Sequence, residues 1–236
     1  MYREALSNEN SRRVAQALAE AGGTASFSQI EKTSGVEGSV LLHHLNKLQT
    51  LSIVESPAKG TYRLRYKTPL CFLYEAKSVE VAYLGLLGHR KEREKPETEV
   101  ALRLLRSQGL EPKLIYVVTS PEALGEWKTL RPPYQWILCY EEEIIDIDSI
   151  REKVRPPLEG LLKEHSVILD CTSATKPATI AYYELAQTYL TPLIYVYEET
   201  GRMKWIQSRG DIAERLGIGI GSRMQNLESF GRIRGA

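Results

Sequence analysis

The sequence is short of cysteine and has no surplus of either charge. Its three cysteines, Cys71, Cys139 and Cys171, have no CxxC spacing, and each lies in or beside an apolar run. That excludes a disulfide scaffold and a zinc site and leaves buried, reduced thiols. Lysine and arginine number 31 against 30 aspartates and glutamates. The chain is therefore no polycation, and a nucleic-acid role has to rest on local basic patches. No apolar run reaches the roughly 18 residues of a membrane span. The first seven residues, Met1 to Ser7, hold no signal-peptide apolar core. The expectation is a soluble, cytoplasmic chain with no membrane partner, no metal and no cofactor. At 236 residues it has room for two domains or one large one.

Residues 1–68 read as three helices and a hairpin. Ser7 or Asn8 caps a helix carrying Val14, Ala17 and Leu18, and Gly22-Gly23 stops it. A short helix follows Ser26 and ends at Gly35. A third runs from about Glu37 to Leu51, with Val40, Leu41, Leu45, Leu48 and Leu51 as its apolar stripe. Ser39, Leu42, His43, Asn46 and Lys47 take the other face. Strand-like pieces at 52–56 and 61–66 flank a basic tip, Pro57-Ala58-Lys59-Gly60. This is the order of a winged helix-turn-helix. The stretch FSQIEKTSGVEGSVLLHHLNKLQTLSIVE, followed by YRL, resembles small archaeal and bacterial winged-helix regulators. On that reading the third helix enters the major groove of double-stranded DNA. Ser39, His43 and Asn46 would reach bases or phosphates, and Lys47, Lys59, Arg63 and Arg65 would neutralise phosphates. The alternative is a winged helix that dimerises or docks a protein. His43-His44 is no metal pair, because adjacent helical residues point about 100° apart.

The central segment alternates strands and helices, which implies a largely parallel sheet. Strand-like runs lie at Val79–Leu87, Leu114–Val118, Trp136–Tyr140, Val167–Leu169 and Leu193–Tyr197. Helical stretches follow Pro96, run over Ile150–Glu164 with Pro156-Pro157 interrupting, and span Ile180–Tyr189. Leu70–Tyr74 reads as a bridging strand or linker.

The most informative junction is Asp170-Cys171-Thr172-Ser173-Ala174-Thr175-Lys176-Pro177. A buried strand ends in an acid, a hydroxyl-rich turn with one lysine follows, and a helix begins. Open α/β sheets bind ligands outside the carboxyl ends of their strands, and a helix start favours phosphate. The bland reading is a structural turn, with Asp170 or Thr172 as the helix cap and a solvated Lys176.

Strand, then Asp-x-Thr-Ser-x-Thr-Lys-Pro, then helix resembles the signature of the CARF family, the Rossmann-like sensor domains of CRISPR antiviral defence. The family usually has glycine where this chain has Ala174. Gly85-Leu86-Leu87-Gly88, at the end of the first strand, also matches its layout. The resemblance covers roughly residues 77–200, and a winged helix joined to such a domain is a familiar pairing. It implies a homodimeric sensor of cyclic oligoadenylate, most often the four-membered ring, seated across the two-fold axis. Thr172, Ser173, Ala174, Thr175 and Lys176 would line the site, with Gly85 to Gly88, Thr119 and Ser120 closing on it. The preferred function is a ligand-responsive transcriptional regulator. The alternatives are a ring nuclease, in which Lys176 would stabilise charge on phosphorus, and a non-catalytic protein-binding scaffold.

Residues 201–236 read as a helical hairpin, a partial helix-turn-helix. Ile212, Ala213 and Leu216 would face one way, and Met224, Leu227 and Phe230 the other. Arg223, Arg232 and Arg234 would touch DNA if it binds there. The competing reading is a hairpin that packs on the N-terminal domain or on a partner subunit, since a pair of short helices is marginal alone.

Overall fold

A computed structural model describes residues 2–90, 94–127, 134–197 and 200–219. It divides into two compact units. The first takes residues up to Glu80, Leu162–Ser166 and the segment that starts at Arg209. The second takes Val81–Leu161 and Val167–Ser208.

The first unit opens with α1 (Tyr2–Ala5) and α2 (Glu9–Glu20). The Asn8 side chain caps α2 by accepting from the amides of Asn10 and Ser11. After β1 (Thr24–Ser26) comes α3 (Phe27–Ser34). A reciprocal Ser26–Gln29 capping box starts α3, and Gly35 ends it at φ 62°. Next are α4 (Gly38–Thr50), β2 (Val54–Ala58) and β3 (Thr61–Leu64). β3 lies between β1 and β2 and pairs antiparallel with both. Leu18, Leu41, Leu45 and Leu48 are fully buried, each stabilising by roughly 1.5–3 kcal/mol.

Two readings of this region are corrected. Val40 is 48% exposed, and His44 takes a buried place on α4 instead. Leu70–Leu73 forms a short helix, α5, rather than a strand or linker. All four of its residues are buried, and a short apolar run does not by itself separate strand from helix.

The second unit carries β4 (Val81–Leu86), α6 (Glu97–Ser107), β5 (Pro112–Thr119), α7 (Pro121–Glu126), β6 (Tyr134–Leu138) and α8 (Glu141–Ile144). Then come α9 (Ile147–Glu164) and β7 (Ser166–Asp170), apart from their Leu162–Ser166 portion, and α10 (Lys176–Tyr189), β8 (Leu193–Tyr197) and β9 (Arg202–Gln207). α9 continues through Pro156 and Pro157. Ile150, Val154 and Leu158 bury one face while Pro156 is exposed. Packing along that stripe outweighs the lost backbone bonds.

The large sheet has the order β6-β5-β4-β7-β8-β9. Numbered within the unit this is 3-2-1-4-5-6, the order of a doubly wound Rossmann-like sheet. The β4–β5, β5–β6 and β7–β8 pairs are parallel, and β9 runs antiparallel to β8. The fold is thus mixed α/β with a largely parallel sheet.

Residues 201–219 do not form one body. Arg202–Gln207, within the stretch read as a helical hairpin, is a sheet strand, and its burial alternates along its length. The helix α11 (Arg209–Leu216) belongs to the first unit, with Ile212, Ala213 and Leu216 buried. The Arg209 guanidinium lies 4.9 Å from the Phe72 ring centroid and pairs with Glu75. The expected second helix of the hairpin, with Met224, Leu227, Phe230 and its arginines, lies outside the described residues.

Candidate functional site

The strand order reverses between β4 and β7, and their carboxyl ends meet there. A Cβ added to Gly88 would stand 3.3 Å from the Ser173 carbonyl oxygen. Neighbouring elements tie down the loop after β4. The Leu87 amide donates to Val118 O at 2.9 Å, and the Thr119 hydroxyl donates to Leu87 O at 2.9 Å. The Trp127 indole N–H donates to Gly88 O at 2.9 Å. Gly85–Gly88, Thr119 and the start of the Thr172–Lys176 turn are therefore gathered at one edge of the sheet. Thr119 and Ser120 are buried and serve the scaffold, Ser120 as the cap of α7.

A buried acid anchors the turn. Asp170 is 2% exposed. It accepts from the Tyr83 hydroxyl at 2.5 Å, from the Thr172 amide at 2.8 Å and from the Thr172 hydroxyl. Burial pushes its carboxyl up to about 6, against the pull of the bonds from Thr172 and Tyr83. Burial, then the neighbouring carboxylate, holds the Tyr83 phenol well above its usual range. Gly85 makes room for the Tyr83 ring, since a Cβ at Gly85 would lie 2.4 Å from the phenol oxygen. The Tyr182 hydroxyl donates to Gly85 O at 3.2 Å.

All three hydroxyls of the turn donate to acceptors within the protein. Thr172 donates to Asp170 and accepts from the Val196 amide at 2.9 Å. Ser173 donates to the Glu97 carboxylate, which is 6% exposed. Thr175 donates to Ile144 O at 2.8 Å and accepts from the Ala178 amide at 3.3 Å, which makes it the N-cap of α10. The cap is thus neither Asp170 nor Thr172. Of the first three residues of α10, Pro177 has no N–H and the Ala178 amide is capped, which leaves the Lys176 amide. The Lys176 side chain is exposed and has no partner among the described residues. Ala174 is not among the residues with positive φ, so the turn forms without the freedom a glycine would give.

Several residues at this edge escape sequence reasoning. Tyr83 lies inside an apolar run, Tyr182 inside a helical stretch and Glu97 just after Pro96, with no motif to mark any of them. His89 follows Gly88 in what reads as a charged loop. Its Nδ1 lies 2.7 Å from Glu126 and its Nε2 2.9 Å from Glu141. Only an imidazolium donates through both nitrogens. The Glu126 bond, against some desolvation and with help from Glu141, holds the ring above its usual pKa. Glu126 also accepts from the Arg90 amide at 2.7 Å. These partners are 37 and 52 residues away in sequence, so no local pattern announces them.

In the first unit, Ser39, His43 and Asn46 are exposed on α4, beside Val40 and Leu42 at 48% and 45%. Lys47 is half-buried. His44 turns inward, its Nδ1 2.9 Å from the Ser11 hydroxyl. Lys59 is exposed at the hairpin tip. Arg63 pairs across the hairpin with Glu55 at 3.0 Å. The Arg65 guanidinium lies 5.6 Å from the Tyr66 ring centroid.

Among the described residues no helix is long and apolar enough to cross a membrane. Among them, too, no group of three or more histidine, cysteine and acidic side chains could hold a metal ion.

No protein-family model and no curated protein matches the sequence. Solved structures show partial likeness. Can2 from Sulfobacillus thermosulfidooxidans, in complex with cyclic tetra-adenylate, is 14% identical with a TM-score of 0.40. That match covers 55% of this chain and 35% of Can2. VC1899 from Vibrio cholerae is 10% identical with a TM-score of 0.41, over 55% and 34% of the two chains. Csm6 from Enterococcus italicus, bound to cyclic hexa-2′-fluoro-hexa-dAMP, is 11% identical with a TM-score of 0.39, over 61% and 41%. Each match thus spans well under half of the solved chain. Likenesses of this size assign neither a family nor a role to any residue.

Proposed function

We propose that this chain is a homodimeric, nucleotide-responsive DNA-binding regulator of the CARF type. Its second unit would sense cyclic oligoadenylate at the β4 and β7 strand ends, and its first unit would act as a winged helix. One observation carries the reading. The Asp-x-Thr-Ser-x-Thr-Lys-Pro turn stands at the reversal point of a 3-2-1-4-5-6 sheet, beside a glycine-ended first strand. That is where open α/β sheets take their ligands. Lys176 supplies the cation, one per subunit. A ring with repeated phosphates suits a site repeated by a two-fold axis. Ligand bound there would bias the spacing of two α4 helices, and half-site spacing sets operator affinity. The exposed polar side chains of α4 and Lys59 at the hairpin tip support the DNA contact.

Labelled cyclic tetra-adenylate is the first test, with linear tetra-adenylate as control. The expected result is saturable binding of the intact ring, weakened about ten-fold or more in Lys176→Ala. A linear product would mean a nuclease instead. Binding to double-stranded DNA is expected to weaken steeply as salt rises. A DNA titration without salt dependence would leave the first unit as a protein-docking module.

A further inference from the structure

The outer face of α4 is chemically narrow. Ser39, Leu42, His43 and Asn46 follow at helical spacings and share one exposed stripe. The helix has no arginine, aspartate or glutamate, and its one lysine, Lys47, is half-buried. Asn46 is exposed, and among the described residues its side-chain amide has no hydrogen-bond partner. Leu42, one turn earlier, is 45% exposed, and Val40 is 48% exposed. At about 100° per residue, Val40 and Leu42 fall on opposite edges of the stripe. They do not merge into the contiguous apolar patch that marks a protein-docking face.

Each base pair shows a fixed pattern in the major groove. Guanine shows two acceptors, which suit the cationic donors of arginine or lysine. Adenine shows an acceptor beside a donor, and a neutral carboxamide answers both at once. Thymine adds a methyl group, which takes an apolar side chain. The α4 stripe holds the carboxamide and the apolar side chain and lacks the guanidinium. Side chains four apart on a helix have Cβ atoms roughly 5–6 Å apart, and base pairs rise about 3.4 Å. Asn46 and Leu42 therefore reach neighbouring steps of one duplex. We propose that α4 reads A·T base pairs, with Asn46 as the specificity-determining contact to adenine and Leu42 on a thymine methyl one or two steps away. This rests on the winged-helix reading above and deepens it by naming the base pairs the helix selects. Lys59 at the hairpin tip meets phosphate, which positions the helix and carries no sequence information. Affinity and specificity are thereby divided between hairpin and helix.

The full chain is used to select duplexes from a random double-stranded DNA library, with and without cyclic tetra-adenylate. The recovered duplexes are expected to share a core of A·T pairs. Each core pair is then changed to G·C in turn. At one position wild-type binding is expected to weaken about ten-fold, and in Asn46→Ala that ratio falls to about one. Replacing the contacted thymine by uracil removes only the methyl. That is expected to cost the wild-type chain about four-fold and Leu42→Ala nothing. A folding defect would weaken all duplexes together and leave both ratios unchanged, so the ratios separate base reading from a structural role. A G·C core, binding without any shared sequence, or an unchanged ratio in Asn46→Ala or in Leu42→Ala overturns this inference alone. Recovery of no duplex in either ligand state overturns the DNA-binding reading and this inference with it.

Discussion

The turn after β7 and the outer face of α4 use the same polar alphabet with opposite results. Thr172, Ser173 and Thr175 aim their hydrogens into the protein, at Asp170, Glu97 and Ile144 O. Ser39, His43 and Asn46 on α4 stay exposed. The turn joins a fully buried strand to a helix, so nearby carboxylates and a backbone carbonyl claim its hydroxyl hydrogens. The face of α4 has no such claimants, because its partners lie on the other side. A hydroxyl-rich motif at a strand end is therefore first a structural device. What it leaves for a ligand is what remains after the fold has been satisfied: the Lys176 ammonium and the amides of Ser173 to Lys176, which have no acceptor among the described residues.

The comparison is broken most severely at Asp170. Asp170→Ala leaves the Tyr83 hydroxyl and the Thr172 donors without their acceptor. A loss of about 3 kcal/mol is expected, read as a large drop in urea midpoint. A near-wild-type midpoint would show that the turn does not hang on this acid. Gly85→Ala sets a methyl 2.4 Å from the Tyr83 oxygen. Displacing that buried ring is expected to cost about 2 kcal/mol, with a parallel loss of ring-ligand affinity.

Acidity sharpens the contrast, because the two regions titrate in opposite senses. Asp170 is raised from 3.8 to about 6 by burial. The native state thus holds its proton longer than the unfolded chain. This contribution is full below 3.8 and is lost as pH rises through about 6. His44 is lowered from 6.5, first by burial and then by repulsion from His43 and Lys47. Its contribution is full above 6.5 and is lost as pH falls. Asp170→Asn should flatten the decline of stability between pH 4 and about 6, and His44→Gln the rise towards 6.5. Urea midpoints across pH check both, and parallel wild-type and variant curves would contradict the assignment.

The smallest expected effects lie on the hairpin. Lys59→Ala is expected to weaken DNA binding a few-fold and to lower the salt slope by about 1. Arg63→Ala should do less, because Glu55 already opposes its charge at 3.0 Å. The reverse order would mean that the Arg63–Glu55 pair opens on DNA.

Much of the fold was legible because periodicity reports burial directly. The caps at Asn8 and Ser26, the stops at Gly22-Gly23 and Gly35, and the buried strand before Asp170 are all local signals. Misreadings came where a local signal was too short or was outweighed. Leu70–Leu73 is too brief for a period, and Pro156-Pro157 sits on the solvent side of a helix held by its buried stripe. Arg202–Gln207 alternates as a strand does, yet its pairing with β8 is what fixes it. At the candidate site the turn was visible and its partners were not. Glu97 is 76 residues from Ser173, and Tyr83 is 87 from Asp170.

The sequence alone determined which groups stand at the strand end: an acid, three hydroxyls and a lysine, ahead of a helix. That is covalent order, and folding cannot change it. Tertiary structure decided which way each group points, because a buried donor or acceptor must find a partner and the partners come from distant strands. Asp170 became an anchor, the three hydroxyls became scaffold by their hydrogen bonds, and the Lys176 ammonium was left exposed.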